Sequence, residues 1–138
     1  MGKAFFLQGS VAALLVALCI LPVQTGAAAS LLDGEWLVED IGGGGVADNV
    51  RSTLRFDPNG IASGSGGCNR FSGSYASADD GLGFGPLAAT RMACPPPAMD
   101  QEAKFFVALS AVRSARVEGP SLLLFSAGGA QLVKLKRL

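Results

Sequence analysis

Cys68 and Cys94 are the residues of this chain best placed to do chemistry, and an arginine sits beside each. The first lies in Gly64-Ser65-Gly66-Gly67-Cys68-Asn69-Arg70-Phe71 and the second in Thr90-Arg91-Met92-Ala93-Cys94-Pro95-Pro96-Pro97. Thiols can serve as nucleophiles, redox couples, metal ligands or halves of a disulfide. The rest of the chain narrows that choice. It contains no histidine, which removes the commonest general base, the usual partner of a catalytic serine or cysteine, and most zinc ligand sets. Outside the N-terminal apolar run, which holds Cys19, these are the two cysteines of the chain; two alone are too few for a structural zinc, and they are too far apart for a Cys-x-x-Cys redox pair. A pair of catalytic carboxylates is formally open, but the acids are scattered over turns and exposed faces.

Arg70 and Arg91 each fall within three residues of a cysteine. Joined cysteines would bring both guanidinium groups into one neighbourhood, with Asp100 or Glu102 at the start of the following helix as acceptors. Asn69, Arg70, Thr90, Arg91 and Glu102 therefore form a candidate site with two readings. One is a polar clamp tying loop, disulfide and helix together; the other is a site for a small anion or carboxylate. Met92, Met99 and Tyr75 read as core or rim packing. No metal and no cofactor are expected.

Whether the cysteines pair depends on where the protein resides. Lys3 is a short positive region, and a nearly continuous apolar run follows from Ala4 to Val23. Thr25-Gly26-Ala27-Ala28-Ala29-Ser30 then supplies the small residues a signal peptidase requires. The pattern is that of a secretory signal peptide over residues 1–29, with an uncleaved anchor as the alternative. Cys19 is preceded by Leu18 rather than by the small residue that lipidation requires, so it reads as an ordinary residue of the apolar run. Export places Cys68 and Cys94 in an oxidising compartment, periplasmic or secreted, where cysteines usually pair. Closing a loop of about 25 residues stabilises by about 3.5 kcal/mol in the chain-entropy model. The alternative is two free buried thiols.

The elements that must position these groups are short. Residues 30–138 make one domain. Gly34 to Ile41 reads as a first strand with Trp36 and Val38 on one face, and the Gly42–Gly45 run after it reads as a permissive loop. A second strand, Arg51 to Asp57, turns Leu54 and Phe56 inward and Thr53 and Arg55 outward. Asp57-Pro58-Asn59-Gly60 is a turn into Ile61–Ser65. Phe71–Ala76 and Leu82–Phe84 continue a meander. The prolines after Cys94 suit a first helical turn, and Met99, Ala103, Phe106 and Leu109 recur at helical spacing, so a helix is expected over about Pro97–Arg113. Ala115–Glu118, Ser121–Ser126 and Gln131–Leu138 close the chain as strands. The fold expected is α+β: a curved antiparallel sheet of about seven or eight short strands packed against one helix.

The chain has 11 basic and 11 acidic residues, with no basic face that would suggest nucleic acid. Gly64 to Tyr75, together with Leu87 to Cys94 and the following Met99 and Glu102, closely resembles the signature blocks of the META domain, the family of the bacterial heat-shock protein HslJ. Trp36 also fits. The resemblance implies a small α+β domain in the bacterial cell envelope, linked to stress or drug tolerance and without an established enzymatic activity. Several relatives are lipid-anchored; Leu18-Cys19 departs from that. The function expected is a non-catalytic exported domain, monomeric and not stably inserted in the membrane, that binds an envelope protein or small ligand. The alternative is a secreted inhibitory module, protease-inhibitor-like, presenting the Gly42–Gly45 and Gly64–Gly67 loops. An enzyme is the least favoured reading.

Overall fold

A computed structural model describes Gly2 and residues 30–138. The expected signal peptide and Cys19 lie outside the described residues. The strands are β1 (Gly34–Ile41), β2 (Thr53–Asp57), β3 (Ile61–Ser65), β4 (Arg70–Ala78), β5 (Gly81–Phe84) and β6 (Ala88–Ala89). The helix α1 (Pro96–Ala111) follows, and then β7 (Val112–Glu118), β8 (Ser121–Ser126) and β9 (Gln131–Arg137).

The sheet closes on itself, which corrects the expected open curved sheet. Strand order runs β3-β2-β1-β9-β8-β7-β5-β4, and β4 pairs back onto β3, so eight strands form an antiparallel barrel. The two-residue β6 adds to β4 outside that ring. Closure depends on β1 pairing with β9 and β5 with β7, contacts between distant parts of the chain. β4 makes the last turn of the ring because it is long enough to serve two neighbours. Its first half pairs with β3, from Ile61↔Ser74 to Ser65↔Arg70, and its second half with β5.

Alternation along the strands fills the interior. Trp36, Val38, Leu54, Phe56, Phe71, Leu122, Leu124, Val133 and Leu135 are all buried. The Trp36 indole donates to the Leu32 carbonyl at 2.8 Å, so the buried ring keeps its polar edge satisfied. Asp57–Gly60 turns as its sequence requires: the Gly60 N–H donates to the Asp57 carbonyl at 3.0 Å with Gly60 at φ +85°.

The antiparallel order sends the β1–β2 and β3–β4 connections, the end of β5 and the start of β7 to one end of the barrel. Helix α1 lies across that end and adds Phe105, Ala108 and Leu109 to the core. Phe71 meets Phe105 and Phe106 edge-on, with centroids 5.8 and 5.3 Å apart. The helix begins one residue earlier and ends two earlier than its periodicity suggests. Val112 then turns to extended backbone and starts β7.

Candidate functional site

The two cysteines meet where the β3–β4 connection passes under the start of α1. They form a disulfide with a Cα–Cα distance of 5.9 Å, the pairing an oxidising compartment permits. No helix among the described residues is long and apolar enough to cross a membrane.

Beside the disulfide, Glu102 and Asn69 are 5% and 4% exposed. Glu102 Oε1 accepts the backbone N–H of Cys68 at 3.3 Å and that of Asn69 at 2.5 Å, and its Oε2 accepts Asn69 Nδ2 at 2.7 Å. Asn69 Oδ1 in turn accepts the Thr90 hydroxyl at 3.0 Å and the Met92 N–H at 2.6 Å. The Arg70 N–H donates to Thr90 Oγ1 at 3.2 Å, and the Thr90 N–H to the Arg70 carbonyl at 3.0 Å. One buried carboxylate and one buried amide thus join three segments: the β3–β4 connection, residues 90–92 and the helix. A buried carboxylate is tolerable only when its lone pairs are engaged, and three N–H donors meet that need here.

The glycines of the first cysteine block are explained by this packing. A Cβ on Gly66 would lie 2.6 Å from Glu102 Cγ and Oε1 and 2.9 Å from Phe106 Cζ. One on Gly64 would lie 2.1 Å from the Thr53 carbonyl oxygen. Gly67 sits at φ +129°, where a side chain is strained. Gly64–Gly67 is therefore pinned between β2 and the helix and does not present itself as a free loop. The Gly42–Gly45 run is exposed, shaped by Asp40, whose carboxylate accepts the Gly43 N–H at 2.8 Å and the Gly45 N–H at 2.7 Å.

The guanidinium groups of Arg70 and Arg91 stay outside the clamp: both residues are exposed, Arg70 takes part only through its backbone, and Glu102 bonds to amide donors. Arg70 precedes the inward Phe71 on β4, so alternation turns it to the outer face while Glu102 reaches inward from the helix. Glu102 also lies beyond the first turn of α1, where its carboxylate accepts from the β3–β4 connection rather than from an arginine.

A neighbouring network, centred on Gln101, carries little signal in the sequence. Gln101 Oε1 accepts the Ala47 N–H at 2.6 Å, and Nε2 donates to Ser52 Oγ at 2.8 Å and to the Val50 carbonyl at 3.3 Å. The Ser52 hydroxyl passes the chain on to the Gly66 carbonyl at 2.7 Å. Gln101 thus does for the β1–β2 connection what Glu102 does for the β3–β4 connection. Its only sequence signal was its place next to Glu102.

Arg70 instead borders a cleft of about 570 Å³ on the outer face of β1 to β4, shared with Arg51, Arg55 and Glu35 and floored by Thr53, Ser63 and Ser65. Arg51, Thr53 and Arg55 are two residues apart, so one face of an extended segment carries all of them.

The architecture defines a small barrel capped by one helix, with a disulfide and an Asn–Glu clamp at the capped end. The META domain family model matches residues 29–137, and the chain belongs to that family. Among solved structures, the chain is similar to a protein from Burkholderia xenovorans solved by NMR, with 28% identity and a TM-score of 0.64 over 86% of this chain and 97% of that one. A second NMR structure matches at 27% identity and a TM-score of 0.61, covering 77% of this chain and 90% of the other. A crystal structure of a DUF4847 family protein from Bacteroides vulgatus shares the fold at 15% identity, with a TM-score of 0.60 over 78% and 94% of the two chains. No curated protein matches.

Proposed function

We propose that this META domain is a non-catalytic component of the bacterial cell envelope that acts by binding and thereby supports tolerance of stress or drugs. The observation that carries the reading is the saturation of the Asn69–Glu102 clamp. The constellation that offered the most chemistry spends its polar atoms on backbone amides and on its own members. A general base or nucleophile needs a lone pair facing substrate. The clamp's geometry favours a structural role, and the disulfide favours residence outside the cytoplasm. The inhibitory alternative is weakened because Gly64–Gly67, one of its two candidate loops, is pinned under the helix.

The test is a deletion strain challenged with heat, oxidant and antibiotics, coupled to crosslinking of the exported protein in intact cells. Increased sensitivity restored by the wild-type gene, with a reproducible crosslinked partner or ligand, is the expected result. Unchanged sensitivity with no adduct overturns the reading.

A further inference from the structure

We propose that the outer-face cleft between β2 and β4 binds the phosphate group of a small phosphorylated sugar or related polyol. The proposal rests on the reading of the domain as a binding module and gives that binding a location and a chemistry.

Charge is the first argument. Arg51, Arg55 and Arg70 border the cleft against the single carboxylate of Glu35. In a chain whose charges balance overall, this is a local excess of positive charge, and like charges so gathered repel unless an anion lies among them. Among the described residues none of the three guanidinium groups donates a hydrogen bond to the protein or lies within ion-pair distance of an acid. The one ion pair found there is Arg116–Glu118, at 2.7 Å. The three forks are exposed and uncommitted.

The floor is the second argument. Thr53 Oγ1 accepts the Ser65 N–H at 3.1 Å, and Ser65 Oγ accepts the Gly67 N–H at 3.3 Å. With these oxygens already accepting from the backbone, each hydroxyl keeps its proton to donate. Ser63 lies directly across from Arg55 in the β2–β3 register, and Ser65 across from Arg70 in the β3–β4 register. Hydroxyl donors therefore stand between guanidinium groups arriving from β2 and from β4. One guanidinium fork fills a planar carboxylate. Several forks arriving from different strands suit a tetrahedral phosphate, which offers more than one oxygen edge.

Glu35 and the cleft's size extend the argument from phosphate to a phosphate ester. Glu35 lies opposite Arg55 in the β1–β2 register, so it stands beside the proposed anion, where a bare phosphate would be repelled. A ligand hydroxyl donating to it converts that cost into selectivity. The volume of about 570 Å³ lies within the roughly 300–1,000 Å³ of small-molecule sites and leaves room for a sugar ring beside the phosphate.

The experiment is an amide NMR titration of the intact domain at constant ionic strength with glucose 6-phosphate, inorganic phosphate, glucose and citrate. Saturable shifts at Thr53, Arg55, Ser63 and Ser65 are expected with glucose 6-phosphate, weaker ones with inorganic phosphate and citrate, and none with glucose. Arg51→Gln/Arg55→Gln and, separately, Arg70→Gln are expected to weaken binding about tenfold or more, at an unchanged melting temperature, while Lys104→Gln binds as wild type. Glu35→Gln is expected to narrow the gap between the ester and inorganic phosphate. Co-sedimentation with phosphatidylcholine vesicles carrying lipid A, against phosphatidylcholine alone, separates the two sources of such a group. Capture by lipid A places the ligand at the membrane, and binding of the soluble ester alone places it in solution. No saturable binding in any arm, equal binding of glucose or citrate, or indifference to the arginine substitutions overturns the proposal. Release of inorganic phosphate from the ester would instead overturn the non-catalytic reading and leave the cleft standing.

Discussion

Glu102 holds Asn69 at two points: its Oε1 accepts the Asn69 backbone N–H and its Oε2 accepts the Asn69 side-chain amide at 2.7 Å. The asparagine cannot turn its amide without placing a donor against Thr90 and Met92, nor shift its backbone without leaving the carboxylate. Glu102→Gln should therefore destabilise although it preserves shape, because its new NH₂ group must face one of these donors. The expected cost is about 1–3 kcal/mol, and Glu102→Ala should cost about 3 kcal/mol or more by stranding buried N–H groups. Urea denaturation of the oxidised proteins measures both.

Gly66→Ala should cost about 1–3 kcal/mol, since the new methyl group would press on Glu102 and Phe106 in a packed interior. Gly83→Ala is the matched control: a Cβ there meets nothing within 4 Å. Comparable midpoints for Gly83→Ala and wild type, with a clearly lower one for Gly66→Ala, are expected.

Reducing the Cys68–Cys94 bond, or replacing both cysteines with serine, should lower stability by about 3.5 kcal/mol, given the 26-residue separation it closes. Thermal melts with and without reductant read this directly. Combining the serine pair with Asn69→Ala tests coupling, because both act on the same connection and their effects should not add.

The strands and the helix were legible because each carries its own periodicity. Trp36 and Val38, or Leu54 and Phe56, declare a buried face within a few residues, and Asp57-Pro58-Asn59-Gly60 declares its turn. Barrel closure was not legible. It rests on β1 meeting β9 and on Gly81 meeting Ser114, pairings that no local pattern encodes. The candidate site was half legible for the same reason. The structure brings Asn69, Thr90 and Glu102 into one hydrogen-bonded cluster, whereas the side chains of Arg70 and Arg91 share with them only closeness along the chain. Distance along the chain ignores which face a strand residue takes. Period-two alternation already put Arg55 outward, and applied to Arg51 and Arg70 as well it would have pointed to the cleft.

Tyr75 should make stability fall at alkaline pH. Burial, helped by the nearby Asp33 and Asp57 charges, raises its phenol above the ordinary value of 10.0, and the hydroxyl donates to the Asp57 carbonyl at 2.7 Å. With the folded value above the unfolded one, this stabilisation is complete below pH 10.0 and is lost as pH rises through the folded value. Tyr75→Phe should lower stability by about 1 kcal/mol at neutral pH and flatten the alkaline part of the profile.

Arg137 lies over the Trp36 ring at 4.2 Å and donates to the Asp33 and Leu31 carbonyls at 2.9 and 2.8 Å. Arg137→Lys keeps the charge but loses the planar fork, and should cost about 1–2 kcal/mol. Trp36 is the only tryptophan, so its fluorescence should change in the same variant, reporting the loss at the site where it occurs.

Because β4 returns to β3, all eight strands of the ring have a neighbour on both sides, and only the two-residue β6 ends the array. Exposed sheet margins recruit other extended chains into aggregates. The thinnest seam of the ring is β5–β7, joined at the single pair Gly81↔Ser114, so any opening of the barrel that exposes a margin to a neighbouring chain should begin there.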